Sequence, residues 1–324
     1  NLIISKMLPD TPNIILKKIT TSGDLSKEKK ISELGGKNIF CKELENELIE
    51  NKIDIAIHSL KDLDSFETPG LLIGAYIKRN DPRDTIILKK KSNFRTHSMV
   101  IGSSSRRRDL QIKILNKKII VKPIRGNVDS RIKKVESGEY DGAILALAGL
   151  KFLNIKNSKY EILSENELIP AVGQGTIAVQ CNQNNSKIKK ILKKINHNDT
   201  EICSIAEKSF LREIGGDCHT AVGGLAKIKK DKISLKVQLF SDDGNDNSAF
   251  AGRGSRYTLP DNPKNSSSLS LTSSNSKLNG EEPVRFIINL LFPATDFAPG
   301  CSGGRRVTEV KFDSLNDILA SPSF

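Results

Sequence analysis

From residue 1 to about 250, short runs that read as strands alternate with runs that read as helices, and that alternation confines the chain to α/β architectures. Asn13 to Ile19 (NIILKKI) reads as a strand and Lys42 to Asn51 (KELENELIEN) as an amphipathic helix. Ile53 to His58 (IDIAIH) reads as a buried strand. Met99 to Gly102, a helix from about Arg106 to Leu115, and Ile119 to Ile124 continue the pattern. A helix from Val128 to Ser137, the buried strand Gly142 to Ala146 and the segment Ala171 to Gln180 complete it. This order predicts mainly parallel sheets covered by helices. From Ala226 the pattern changes. Ile233 to Phe240 (ISLKVQLF) alternates strictly, as a strand of an antiparallel sheet does, and predicts a smaller third domain.

At 324 residues the chain is long enough for two domains or three small ones. Its longest apolar runs, Ala143 to Leu150 and Phe286 to Phe292, fall well short of the ~18 residues of a membrane span. The start, Asn1 to Ile4, is polar again by Ser5 and Lys6. Neither a membrane protein nor a secreted precursor is expected. Composition changes near residue 250: residues 1–250 hold 34 lysines and the last 74 hold three. Residues 265–276 carry seven serines and read as a flexible linker, while 283–292 reads as a short helix or strand.

Fifty-one basic residues against thirty-eight acidic ones give a net charge of +13, which points to an acidic partner: nucleic acid, phosphate or polycarboxylate. Codon bias is the competing source, since Lys, Asn and Ile dominate and many lysines fall in solvated runs at 27–30, 89–91 and 187–194. With 5% aromatic residues and no Trp, the chain lacks the stacking surface that single-stranded nucleic acid prefers. The cysteines are Cys41, Cys181, Cys203, Cys218 and Cys301. They are widely spaced, form no CxxC pair and no His/Cys metal pattern, and read as free thiols in a reducing compartment.

Three loops follow strand patterns directly, which is where open α/β sheets bind ligands. The first, His58-Ser-Leu-Lys-Asp-Leu63, presents His, Ser, Lys and Asp together at the end of a buried strand. Asp62 there is either a functional carboxylate or a helix cap paired with Lys61. The second, Gly102-Ser-Ser-Ser-Arg-Arg-Arg-Asp109, is a Gly/Ser turn opening a helix, a ready anion site. Arginines in a first turn oppose the helix dipole, and a bound anion would compensate them; a solvated basic turn is the bland alternative. No nucleotide P-loop pattern is present. The third, Arg125-Gly-Asn-Val-Asp-Ser-Arg131, places Arg125 at a strand end and Arg131 nearly two turns into a helix. Such arginines suit carboxylates, or else form ordinary salt bridges to Asp109 or Asp129. Last, Cys218 in Gly215-Gly-Asp-Cys-His-Thr220 sits in a Gly-rich turn beside His219, which favours an accessible thiolate over an inert thiol only weakly.

In chain order, GGKNIFCKELE (35–45), DIAIHSLKDL (54–63), NDPRD (80–84), GSSSRRR (102–108), RGNVDSR (125–131), GEYDGAILALAGLK (138–151), IPAVGQG (169–175) and FLREIGGDC (210–218) resemble the porphobilinogen deaminase (hydroxymethylbilane synthase) family. The resemblance covers roughly residues 1–245. It implies a transferase that condenses four porphobilinogen molecules head to tail, releasing ammonia each time, to give 1-hydroxymethylbilane for tetrapyrrole biosynthesis. It implies a dipyrromethane cofactor held by a thioether, which by motif falls on Cys218, and a catalytic aspartate, which falls on Asp62. The implied cofactor and substrate-carboxylate ligands are Lys61, Ser105, Arg107, Arg108, Arg125 and Arg131, with Lys37, Ser59 and Gln174 lining the cleft. No metal is implied.

The fold so implied is α/β, with two periplasmic-binding-protein-like α/β lobes and a small α/β third domain carrying the cofactor cysteine. Residues 1–79 and 173–196 are expected to form the first lobe, 80–172 the second, with the arginine loops, and 197–250 the cysteine domain. Residues 251–324 are expected to be a divergent Ser-rich linker and tail. The partners are porphobilinogen and the growing oligopyrrole chain, with no nucleic acid and no membrane. A monomer in the cytoplasm, or in a plastid or other organelle stroma, is expected. The family's opening strand, with its TRxSxLA-type motif, has no counterpart, so the first lobe is expected to lack a strand and two cleft ligands. Asn38 replaces a glycine of the family pattern, Asp64 a proline, and Phe152 an arginine found in many members. A non-enzymatic bilobal anion-binding protein and an inactive truncated homologue are the alternatives.

Overall fold

The computed structural model describes residues 15–19, 41–90, 92–155, 160–217, 220–229, 232–240, 247–255, 269–272 and 286–288. Three sheets organise them. The first is small, in the order β1 (Ala56–Ser59), β8 (Ile177–Asn182), β2 (Leu71–Tyr76). Helix α1 (Lys42–Ile49) covers it through Leu48, which packs with Ala56 and Leu71. Helix α5 (Ser186–Lys193) buries Leu192 against Ala75, Val179 and Cys181, and leaves Lys187, Lys190 and Lys193 exposed. This spacing is that of an amphipathic surface helix, so the lysine run reads as a solvated face.

The second sheet has the order β5 (Ile119–Lys122), β4 (Met99–Gly102), β6 (Gly142–Ala146), β3 (Asp84–Leu88), β7 (Glu161–Ile162). Helix α2 (Arg106–Leu115) and helix α3 (Val128–Ser137) cover opposite faces of it, and the short helix α4 (Leu147–Phe152) follows β6. Alternation along the strands assigns the faces: Ile86 and Ile144 pack with Ile112 of α2, whereas Ile87, Ala143 and Leu145 pack with Ile132 and Val135 of α3. Each fully buried isoleucine contributes about 2–3 kcal/mol. The helix ends are set locally. Asn127 caps α3 by accepting from the Ser130 N–H at 2.9 Å, and Gly138 ends it with φ +90°.

Mainly parallel sheets were expected, and the structure differs. Among the described residues only β4 pairs in parallel, with β5 and β6, across the two βαβ crossovers. Strand β3 runs antiparallel to β6 and β7, and β8 antiparallel to β1 and β2. The reason is topological: β3 and β8 follow the two segments that pass between the sheets, so no helical crossover dictates their direction. The strand expected from Asn13 to Ile19 is also not found in its described part; residues 15–19 lie outside every sheet, with Ile15 and Leu16 exposed. Asn13 falls outside the described residues.

The third sheet is an antiparallel meander of β9 (Val222–Lys229), β10 (Lys232–Phe240), β11 (Asn247–Ser255), β12 (Leu269–Thr272) and β13 (Phe286–Ile288). Helix α6 (Asn198–Glu213) packs on it through Ile202, Ala206 and Phe210. The Ser-rich stretch expected to be a linker thus contains a strand, because Leu-Ser-Leu-Thr alternates with a period of two. Of the two readings of 283–292, the strand is found. Among the described residues no helix is long and apolar enough to cross a membrane.

The crossings between the first two sheets are the segments 77–83 and 163–176, and they bond to each other: Asn80 N–H donates to Gly175 O at 2.9 Å. Gly173 and Gly175 have φ +73° and +85°, and a Cβ on them would meet Leu60 Cγ at 2.8 Å and Asn80 O at 2.7 Å. Only glycine suits both demands. The Glu207 carboxylate locks this junction to the third sheet. It accepts from Arg79 Nη1 at 2.5 Å, from Gly173 N–H at 2.7 Å and from Ala226 N–H at 2.7 Å.

Candidate active site

Strand β1 ends at half-buried Ser59, and a 3₁₀ turn, Leu60–Asp62, follows. Leu60 is fully buried and its N–H donates to Thr176 O at 3.0 Å, so the turn is nailed to the crossing segment. Cys41 Sγ donates to Asp62 O at 3.6 Å, and Lys208 Nζ donates to the carbonyls of Leu63 and Asp64. These contacts use backbone atoms, leaving the Asp62 side chain exposed and Lys61 half-buried above the junction. Ser65 Oγ donates to Gly216 O at 3.0 Å, which brings the turn against the segment two residues before Cys218. Cys218, His219 and Lys37 lie outside the described residues. His58 is buried on β1, and burial pushes its imidazole below the usual value, with Gln180, Glu45 and Asp62 pulling it back.

The serine loop uses its hydroxyl oxygens to fix its own shape. Ser103 Oγ accepts from Ser105 N–H at 3.2 Å, and Ser105 Oγ caps α2 by accepting from Arg108 N–H at 3.5 Å. Ser104 Oγ donates to Ile124 O at 2.8 Å and accepts from Ile124 N–H at 3.2 Å, binding this loop to the one that carries Arg125. Ser105, expected as an anion ligand, thus caps the helix with its oxygen lone pair, and its hydroxyl proton is left to donate to an anion.

The three consecutive arginines separate. Arg106 pairs outward with Asp109 at 2.9 Å. Arg107 and Arg108 turn inward and are buried, both on Asp84: Arg107 Nη1 donates to Oδ2 at 2.8 Å and Arg108 Nη2 to Oδ1 at 2.7 Å. One protein carboxylate thus compensates part of the charge for which a bound anion was expected. Gln174, expected to line the cleft, is buried in the same cluster, donating to Asp84 Oδ1 at 2.9 Å and Pro82 O at 2.7 Å. Asp84 was not singled out from the sequence. Its signal was the NDPRD motif, whose last carboxylate opens a strand that ends in three apolar residues, Ile86, Ile87 and Leu88.

Arg125 and Arg131 are half-buried. Arg131 is the fourth residue of α3, one turn into the helix and not nearly two; its Nε donates to Gly126 O at 2.8 Å. Among the described residues no carboxylate pairs with either, and Asp109 instead takes Arg106 and Lys113. The salt bridges to Asp109 or Asp129 left open by the sequence are not made.

The loops share one electrostatic field. The Arg131 guanidinium is held below its ordinary value by burial and then by Arg108 and Arg125. Lys61 is lowered by burial, Asp62 and Asp84 pulling it up while Arg108 and Arg107 push it down. Burial alone would raise the Asp84 carboxyl, but Arg107 and Arg108 outweigh it and hold that group far below the usual carboxylate range. Among the described residues, Lys61, Arg107, Arg108, Arg125 and Arg131 share this field with two carboxylates, Asp62 and Asp84, so these seven groups carry a surplus of three positive charges. Partly dry, cationic and fork-shaped, such a site suits a ligand bearing several carboxylates.

Two family models match the chain: porphobilinogen deaminase, dipyromethane cofactor binding domain, over residues 2–190, and porphobilinogen deaminase, C-terminal domain, over 201–266. The chain belongs to the porphobilinogen deaminase family. A porphobilinogen deaminase of Coxiella burnetii is 40% identical over 225 residues, 69% of this chain and 73% of that protein. Those of Ehrlichia chaffeensis and Limosilactobacillus reuteri are each 37% identical, over 243 and 245 residues; each match takes in 74% of this chain, with 81% and 80% of the relatives covered. The C-terminal match runs past residue 250, where a dissimilar tail was expected to begin, and β11 crosses the same position. The donor set described above fits the polycarboxylate cofactor that the porphobilinogen deaminase family uses.

Proposed function

We propose that this loop cluster is the active site at which the chain, as a hydroxymethylbilane synthase, condenses four porphobilinogen molecules head to tail to 1-hydroxymethylbilane with release of ammonia, in tetrapyrrole biosynthesis. The observation that carries the proposal is the exposed Asp62 carboxylate beside the buried Arg108 and the half-buried Lys61, Arg125 and Arg131, in one field. Acetate and propionate groups on each pyrrole bring the negative charge these cations need.

In this reading Cys218 holds the dipyrromethane by a thioether. When bound, that group supplies a fixed pyrrole terminus from which extension starts. Arg125 and Arg131, which no carboxylate of the described residues pairs with, take ligand carboxylates directly, and Lys61 adds a third cation. Arg107 and Arg108 give the cluster its charge while Asp84 fixes their orientation. Ser105 shapes the anion loop as a cap, and Ser59 and Lys37 line the cleft. Asp62 stabilises the positive charge that develops on the substrate pyrrole as its bond to ammonia breaks, and its carboxylate oxygens can accept a proton when aromaticity returns. Family membership does not favour the non-enzymatic binding reading.

The division into lobes 1–79 with 173–196, and 80–172, and a cysteine domain from 197, belongs to the same proposal and is supported by the three sheets. So does action as a cytoplasmic monomer, which sedimentation and cell fractionation test. Intact-mass measurement tests the site: the purified chain should exceed its sequence mass by one dipyrromethane, and Cys218→Ser should remove the excess. An unmodified wild-type chain from cells that make porphobilinogen would overturn the assignment.

A further inference from the structure

Asp84 opens β3 directly after the first crossing segment and is fully buried. Four donors converge on its carboxylate. Oδ1 accepts from Arg108 Nε at 3.1 Å, Arg108 Nη2 at 2.7 Å and Gln174 Nε2 at 2.9 Å, while Oδ2 accepts from Arg107 Nη1 at 2.8 Å. The two guanidiniums are fixed a second time by carbonyls: Arg107 Nη1 donates to Ile169 O at 2.7 Å and Arg108 Nη1 to Ile144 O at 3.1 Å. On these side chains Arg107 Nε is buried with no partner among the described residues. Both arginines stand in the first turn of α2, where the helix dipole repels them, and they repel each other.

One carboxylate cannot neutralise two guanidiniums, so the cluster stays positive while its geometry is locked. Asp84 also reaches both crossing segments, because Gln174 lies on the returning one and donates to Pro82 O on the outgoing one. The anion loop is thereby indexed to the junction between the sheets. We propose that Asp84 is a positioning residue: the resident counter-ion that holds Arg107 and Arg108 in register and caps the site's positive charge, so that ligand carboxylates are gripped firmly enough to orient and loosely enough to move as the product lengthens. This rests on reading the arginine loops as carboxylate ligands.

The test compares Asp84→Asn, Asp84→Glu and Arg131→Leu, each purified as the full chain, with cofactor content read by intact mass and KM and kcat measured per cofactor-bearing chain. Losing the charge should lower kcat at least about tenfold while KM falls severalfold, because substrate and product are held tighter and out of register. Asp84→Glu, which keeps the charge, should fall between wild type and Asp84→Asn, at about a third of the wild-type kcat. Wild-type kcat and KM in Asp84→Asn, or equal losses in both variants, would overturn the proposal. Where Asp84→Asn gives no soluble protein, Asp84→Glu decides: a lowered kcat at full cofactor content supports it, and a wild-type kcat overturns it. Full cofactor content and unchanged KM in Arg131→Leu would instead sink the reading of the arginines as ligands.

Discussion

Ser65 Oγ donates to the Gly216 carbonyl at 3.0 Å, and this buried bond ties the turn carrying Asp62 to the segment leading into Cys218. Removing the donor leaves a buried carbonyl unsatisfied, which costs about 1–3 kcal/mol. Ser65→Ala should fold, lose that much stability in urea, and take up cofactor more slowly when the apo-chain is mixed with porphobilinogen. Mass spectra collected through the reconstitution check it; unchanged stability and unchanged uptake would show that the tie is idle.

Arg79 and Glu207 make a buried fork at the point where all three sheets meet, the carboxylate being fully buried and also accepting two backbone N–H groups. Glu207→Gln keeps the shape but strands a guanidinium, which should cost about 3–5 kcal/mol. Adding Arg79→Met should recover part of that loss, since the orphaned charge goes with it. Thermal or urea unfolding of the four chains in this cycle measures the coupling. Additive effects would mean the pair does not hold the junction.

Most of the second sheet's local structure was readable from the sequence, since its determinants are local. Helices Arg106–Leu115 and Val128–Ser137 have the limits their periodicity predicts, because Ser105 and Asn127 cap them from the adjacent position. Strands Met99–Gly102 and Gly142–Ala146 likewise follow from short apolar runs. What the pattern does not contain is direction and long-range pairing. Asp84 meets Arg107, Arg108 and Gln174 across gaps of 23, 24 and 90 residues, so no window of sequence shows that the arginines are already engaged. The same holds for β3 and β8, whose antiparallel neighbours lie far along the chain. Of the candidate site, the exposed Asp62 and the half-buried Arg125 and Arg131 were legible as members of segments that follow strands, whereas the inward turn of Gln174 depends on the folded junction.

His58 gives a pH dependence with a definite sign. Burial, the largest influence, holds its folded-state value below the unfolded one, so the folded chain prefers the neutral ring. Stability from this residue is therefore complete above about pH 6.5, the unfolded value, and declines as pH drops from there toward the lower folded value. Below that it levels off. His58→Asn should remove this share of the slope in urea titrations between about pH 5 and 7. An identical slope in the variant would mean the imidazole does not titrate on unfolding.

The central claim is that Asp62, exposed beside the cation cluster, carries the chemistry. Steady-state hydroxymethylbilane formation per cofactor-bearing chain, with cofactor content read separately by intact mass, measures it most directly. Asp62→Asn keeps the side-chain shape and removes the charge, so it should fold and hold pyrroles yet lose about two to three orders of magnitude in turnover, as loss of one preorganised electrostatic group does elsewhere. Asp62→Glu keeps the charge one methylene out of place and should be impaired less. Near-normal turnover by Asp62→Asn at full cofactor content would contradict the account.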